Sequence, residues 1–152
     1  MTKCIGVVSD THGLLRDTVK EKLRGCSLIL HAGDVGNPSV LEELGQIAEV
    51  VAVRGNMDGG SWARELPEME YVEVEDTRIC IIHNIADLPL DAAAAGVSIV
   101  IYGHSHKPAV EHKNGVLYLN PGSAGPKRFH LPISMALLHI GREGASPEFV
   151  RL

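Results

Sequence analysis

The sequence predicts an α/β fold of two packed sheets with helices on the outside, and three patterns carry that prediction. In the first half, short apolar runs alternate with helix-forming stretches, which demands a mostly parallel sheet covered by helices. From Glu68 onward apolar and polar residues alternate, as in hairpins that pack one face on a core. No linker, repeat or low-complexity segment interrupts the chain, so residues 1–152 read as one domain.

The run from Cys4 to Ser9 is the first strand and leads into Asp-Thr-His-Gly; residues 15–24 then carry helix formers with scattered apolar positions. Ser27 to His31 is the second strand, followed by Ala-Gly-Asp. Pro38 opens a helix to about Gly45, because proline suits the first helical turn. Val50 to Val53 is the third strand and ends in Arg-Gly-Asn-Met-Asp. Met69 to Glu75, a turn at Asp76-Thr77, and Arg78 to His83 form a hairpin. Residues 86–95 read as a helix and Ser98 to Tyr102 as a buried strand. The last third, with Val116–Leu119 and Ile133–Ile140 among Gly/Pro loops, is strand-rich.

An apolar content of 45% with 22% charged residues suits a soluble domain large enough to bury a core. A net charge of -5 argues against a large nucleic-acid interface. The opening residues lack the length and flanks of a signal peptide, and no run approaches the roughly 20 apolar residues that span a bilayer. No membrane partner is therefore expected. Cys4, Cys26 and Cys80, odd in number and beside aliphatic residues, read as buried free thiols in a reducing compartment, and the expected location is cytoplasmic.

The loops after the apolar strands carry Asp10 and His12, then Asp34, then Asn56 and Asp58, then His83, then His104 and His106. Carboxylates and neutral imidazoles together suit first-row divalent ions such as Mn, Fe, Co, Ni or Zn rather than a purely oxygen-ligated Ca or Mg. In an extended segment residues i and i+2 point the same way, so Asp10 with His12, and His104 with His106, can face one cluster. Gly13, Gly33, Gly55 and Gly103 fit tight turns with positive backbone angles beneath such a site. Each motif alone is common; their ordered recurrence after successive strands is the stronger signal.

Asp10-Thr-His12, Gly33-Asp34, Gly55-Asn56-Met57-Asp58, His83, Gly103-His-Ser-His106 and Asn120-Pro-Gly-Ser123 together resemble the calcineurin-like metallophosphoesterases, and among them the small YfcE-type phosphodiesterases, over nearly the whole chain. The resemblance implies a four-layer α/β/β/α sandwich of two mixed sheets with helices outside and a dinuclear centre between the sheets. It implies two divalent metal ions, manganese first, with iron, nickel, cobalt or zinc as alternatives. Asp10, His12, Asp34 and His106 would hold one ion, and Asp34, Asn56, His83 and His104 the other, with Asp34 shared. The implied reaction is in-line attack by a metal-bridging hydroxide on a small-molecule phosphodiester. Two such ions, two carboxylates and one hydroxide leave a formal charge of about +1 to receive a phosphate, a balance that neutral Asn56 preserves in its catalytic and substrate-binding role.

Larger relatives carry a histidine where this chain has Met57, whose thioether donates no proton. His130 in the Lys127-Arg-Phe-His130 loop is the candidate replacement acid, with Arg128 a candidate phosphate contact, although loop cations are more often simply solvated. His31 reads as a buried, hydrogen-bonded residue rather than a ligand. Asp58 is either an anchor behind the site or a turn residue. Trp62 and Arg64 either line the mouth or pack as a lid. The rival functions are a phosphomonoesterase and a protein-interaction scaffold like the retromer subunit of this fold; a homo-oligomer is open.

Overall fold

The computed structural model describes residues 2–152. Its elements run β1 (Lys3–Val8), α1 (Asp17–Leu23), β2 (Leu28–His31), α2 (Pro38–Gly45), β3 (Glu49–Ala52), α3 (Ser61–Arg64), β4 (Met69–Val74), β5 (Thr77–Ile82), β6 (Ile99–Ile101), β7 (Ala109–Lys113), β8 (Val116–Asn120), β9 (Ser134–Gly141) and β10 (Gly144–Arg151). They form two mixed five-stranded sheets, ordered β10-β9-β1-β2-β3 and β4-β5-β6-β8-β7.

Side-chain alternation assigns each face. Ile5 and Val7 of β1 and Leu28 and Leu30 of β2 meet Ile79 and Ile81 of β5 and Ile99 and Ile101 of β6 in the central core. The opposite face of the first sheet, with Val8 and Ile29, packs on Val19 and Leu23 of α1 and Val40 and Leu44 of α2. Gly6 makes that approach possible, since a Cβ there would stand 2.1 Å from Leu23 Cδ2. Trp62 joins this outer cluster, so it packs the fold.

The outer face of the second sheet is covered differently from expectation. Residues 86–95 form a 3₁₀ turn at Ile85–Asp87 and one further turn instead of a helix. Pro89 lacks an N–H and forces Leu88 out of the helical region (ψ 114°), and the turn capped by Asp91 Oδ1 ends at Gly96, whose φ is +74°. Ala92 and Val97, with Leu88 and Leu90 packed beside them, nonetheless cover Cys80, Ile82 and Val100. Cys26 and Cys80 are buried and Cys4 half-buried; all three are free, with 3.5 Å between the sulfurs of Cys4 and Cys26. Among the described residues no helix is long and apolar enough to cross a membrane.

Strand direction places the site. β1, β2 and β3 are mutually parallel, as are β5, β6 and β8, so in each sheet three strand C-termini reach one edge. Ligand sites of α/β sheets lie at such edges.

Candidate metal centre

The loops leaving β1, β2, β5 and β6 are stitched together by backbone bonds. Asp10 N, His12 N and Gly13 N donate to the carbonyls of Gly33, Asp34 and Val35 at 3.0, 3.0 and 2.8 Å, extending the β1–β2 ladder into the loops. Gly103 N donates to His83 O at 2.9 Å, and His104 N reaches across to Asp10 Oδ2 at 3.1 Å. Asn120, at the end of β8, donates from Nδ2 to Gly103 O and Ser105 Oγ, each at 3.1 Å, while Ser123 Oγ donates to Asp10 O. The Asn120–Ser123 turn thus braces both loops.

Five of the seven candidate donors have left-handed backbone: Asp10, His12, Asp34, His104 and His106, with φ from 46° to 74°. The expectation that i and i+2 partners converge because their segments are extended is therefore corrected; they converge through paired left-handed residues. Such backbone costs about 1 kcal/mol or more per non-glycine residue and persists where surrounding bonds over-determine it. The glycine expectation also divides. Gly13 and Gly33 do have positive φ, whereas Gly55 and Gly103 serve close approach: a Cβ on Gly103 would stand 2.0 Å from Ser9 Oγ, and one on Gly55 2.2 Å from Asp34 Oδ1.

All seven donors come together. His12 Nε2 and His106 Nε2 are 3.4 Å apart and lie 3.8 and 3.4 Å from Asp10 Oδ1. His83 Nε2 lies 3.2 Å from Asp34 Oδ2, 2.9 Å from Asn56 Oδ1 and 3.3 Å from His104 Nδ1. Both aspartates stand between the two groups: Asp34 Oδ2 is 3.8 Å from His12 Nε2, and Asp10 Oδ1 is 4.0 Å from His83 Nε2, so that Asp10, His12 and His106, and Asp10, Asp34 and His83, each cluster closely enough to hold an ion. Asp10, Asp34, His83 and His106 are buried, His12 is half-buried, and Asn56 and His104 are exposed.

The donor chemistry fits cations. His83 Nδ1 faces Ala32 O at 2.8 Å and so carries the proton, which leaves the Nε2 lone pair of the neutral ring facing acceptor atoms. Asp10 Oδ2 accepts from Ser9 Oγ at 2.6 Å and from His104 N, but among the described residues buried Asp10 Oδ1 has no hydrogen-bond partner. Converging acceptors with an orphaned buried carboxylate oxygen are stabilised by positive charge and by little else. Without metal, a proton answers that field. Burial pulls the His83 pKa down, but the Asp34 hydrogen bond, the Asp10 charge and the Ala32 carbonyl raise it above its ordinary value. Burial likewise pushes Asp34 up, yet His83 and the Met57 N–H outweigh it and hold the carboxyl at about 2.

Behind the donors sits His31, fully buried. Its Nδ1 accepts from Gly33 N at 3.1 Å, so its Nε2–H donates to Thr11 Oγ1 at 3.0 Å, and Thr11 donates onward to Val35 O at 2.8 Å. That neutral ring ties the Asp10 and Asp34 loops. Burial pushes its pKa down to about 4 from 6.5. A lowered folded value means full stability above pH 6.5 and loss as pH falls from 6.5 to about 4, on the order of 3 kcal/mol in the metal-free protein. Asp34 acts in the same sense only below its ordinary 3.8, and His83, being raised, contributes below 6.5 and loses that contribution as pH rises through its folded value. Urea unfolding of chelator-treated protein should therefore lose stability between pH 7 and 4.5, and His31→Gln should flatten that slope. An unchanged slope would remove His31 as its source.

The remaining residues separate. Asp58 accepts from Val35 N, Gly36 N and Gly55 N, an anchor rather than a mere turn residue. Met57 uses its backbone N–H on Asp34 Oδ1 at 2.8 Å, and the residue is 69% exposed. Arg128 and His130 lie on an exposed loop, and His130 lines a depression with Lys127, Pro132 and Arg151 that none of the seven donors borders. Among the described residues neither side chain bonds a donor. A larger cleft of about 480 Å³ does open beside Asn56, His83 and His104, walled by Arg54, Glu68, Asn84 and Asp87. No motif singles out Arg54, Glu68 or Asp87, and Asn84 is marked only by following His83; nearness to the Asn56 and His83 motifs is the one signal they carry in the sequence.

A two-sheet sandwich with paired aspartate-histidine clusters at its strand ends is the architecture of a metal-dependent phosphoester hydrolase. Residues 4–143 match the calcineurin-like phosphoesterase superfamily domain, and the chain belongs to that family, in its small YfcE-type branch. It is 36% identical over 149 residues to a probable metallophosphoesterase of Methanocaldococcus jannaschii, covering 90% of this chain and 76% of that one. It is 27% identical over 159 residues to phosphodiesterase YfcE of Escherichia coli, covering 86% and 84%. The structure of Vacuolar Protein Sorting 29 from Cryptosporidium parvum, at 22% identity and a TM-score of 0.78, covers 99% of this chain and 98% of its own; that likeness is one of fold.

Proposed function

We propose that this protein is a phosphodiesterase acting on a small-molecule phosphodiester with two divalent ions, manganese first, held around Asp34. The observation that carries the reading is the position of Asp34 Oδ2 between His83 Nε2 at 3.2 Å and His12 Nε2 at 3.8 Å, with acceptors converging on either side. Asp10, His12, Asp34 and His106 would hold one ion, and Asp34, Asn56, His83 and His104 the other. Bound there, the ions would supply Lewis-acid stabilisation of phosphoryl charge and a water nucleophile at neutral pH. Asn56 adds a neutral oxygen, so the centre keeps net positive charge for an anionic ester. The exposed position of Asn56 and His104 leaves their side of the centre open to substrate.

Proton donation to the leaving oxygen is the weak step for this chain. Met57 has no proton to give, and His130 lines a different depression. Esters with leaving groups of low pKa are thereby favoured. Three unbridged thiols support a reducing, cytoplasmic setting.

The test compares bis(4-nitrophenyl) phosphate with 4-nitrophenyl phosphate. Turnover should require Mn, vanish with chelator and favour the diester; a preference for the monoester would make the protein a phosphomonoesterase, and bound metal without turnover of either would return it to the scaffold reading. Asn56→Asp should retain metal yet lose about 10²-fold in turnover, because the added carboxylate cancels charge that the phosphate needs. Wild-type turnover in that variant counts against the role given to Asn56.

A further inference from the structure

The cleft beside the centre has a chemical character of its own. It borders Asn56, His83 and His104 but none of Asp10, His12, Asp34 and His106, so it extends from one side of the centre only. At about 480 Å³ it exceeds what one aryl ring fills and falls in the usual range of small-ligand sites, roughly 300–1,000 Å³. One ester substituent can therefore lie in it while the phosphoryl group meets the donors.

The charges on its wall are matched or negative. Arg54 Nη2 lies 2.8 Å from Glu68 Oε1, so the guanidinium is already partnered. Asp58 and Asp87 add two further carboxylates; Asp58 already accepts from three backbone N–H groups, whereas Asp87 has, among the described residues, no ion-pair partner within 4.0 Å. Asn84 Oδ1 accepts from Ala86 N at 3.0 Å, which leaves its amide N–H₂ as the free end. Met69, Ile82 and Pro89 provide apolar surface between these groups. A second anionic group entering this cleft would meet the carboxylates of Asp58, Glu68 and Asp87 and, among the described residues, no lysine or unpaired arginine. A neutral alcohol with vicinal hydroxyls meets what it needs: carboxylate acceptors for its O–H groups, amide and guanidinium donors for its oxygens, and carbon for its C–H face.

We infer that this cleft is the substituent subsite and that the Arg54–Glu68 pair with Asn84 and Asp87 selects a neutral, vicinal-diol-bearing ester group, the chemistry shared by glycerol and ribose, over an anionic one. The inference rests on the phosphodiester reading above.

The test uses the full chain loaded with Mn and four 4-nitrophenyl phosphodiesters whose second group is ethyl, glyceryl, uridine-5′-yl or the carboxylate-bearing glycerate. In the wild type, kcat/KM should be about tenfold higher for at least one diol-bearing ester than for ethyl, and the glycerate ester should be the poorest. Whether glyceryl or uridine leads tells which source the subsite fits. Glu68→Gln, which unpartners Arg54, should raise the glycerate-to-glyceryl ratio about tenfold; Asp87→Asn should shrink the diol advantage. Equal kcat/KM across the four esters, or a wild-type preference for glycerate, would overturn the inference while leaving the diesterase intact. Absence of turnover with every ester sinks the diesterase reading instead. The subsite is then decided by calorimetric binding of the corresponding phosphonates, with P–C replacing the scissile bond: the same order of affinities supports it and equal affinities overturn it.

Discussion

If the centre holds the two ions proposed above, Asp34→Asn is expected to strip it of at least one and to lower turnover by ~10³-fold or more, about 4 kcal/mol of transition-state stabilisation. Asp34 Oδ2 lies 3.8 Å from His12 and 3.2 Å from His83; Asp10 Oδ1 also reaches both, at 3.8 and 4.0 Å, but Asp34 stands closer to the His83 side. An amide can put an oxygen or an N–H₂ there, but not the negative charge that the proposed cations would share, and loss even of a group that only orients a ligand commonly costs 10–100-fold in metal affinity. The fold should survive the change. The amide oxygen of the variant can still accept from Met57 N, and the backbone bonds from His12 N and to the Asp10 loop do not involve the side chain. Two readouts separate the metal role from a folding role. Metal analysis of dialysed, Mn-loaded protein should fall from two ions to one or none. The thermal midpoint, which ligand binding raises in the wild type, should respond weakly to Mn in the variant while the chelated midpoints stay close. Two tightly bound ions with normal turnover would remove Asp34 from the shared position.

Much of this centre was legible because its donors follow hydrophobic runs that could only be strands. Val7, Leu30 and Ile101 are each buried within such a run, and the first polar residues beyond them were bound to gather once the strands were parallel. Periodicity does not reveal how those residues aim. Asp10 and His12, and His104 and His106, converge from left-handed backbone, a conformation for which Asp and His are only statistically suited and which long-range bonds such as Gly13 N to Val35 O enforce. The failure at residues 86–95 has a local cause: four consecutive alanines suggest helix, but Pro89 and the Asp91 cap limit the segment to a turn. Arg54 and Glu68 escaped notice for the opposite reason. Fourteen positions apart, they become a pair only when Arg54 N bonds Pro67 O and brings the two segments side by side.

Asp58→Ala should destabilise the chelated protein by about 2–3 kcal/mol and weaken Mn binding by roughly 10–100-fold, although Asp58 is not among the seven donors. Its two carboxylate oxygens accept from Val35 N at 3.2 Å, Gly36 N at 3.0 Å and Gly55 N at 2.9 Å. Those amides flank Asp34 in the loop after β2 and Asn56 in the loop after β3, so one side chain fixes the distance between two donors of the second cluster. Hydrogen bonds to a charged acceptor contribute about 1.5–3 kcal/mol each in buried settings, but Asp58 is only half-buried and water can replace part of what alanine removes. The expected loss is accordingly less than the sum of three such bonds. Asp58→Asn keeps one carbonyl oxygen but turns an N–H₂ toward at least one of the amides, and should fall between the wild type and alanine in both readouts. The two measurements, urea unfolding with chelator and Mn titration at pH 7, assign the role. Parallel losses mean that the carboxylate holds Asp34 and Asn56 in register for the metal. Lost stability with wild-type Mn affinity would make Asp58 a fold anchor whose position next to the centre has no bearing on it.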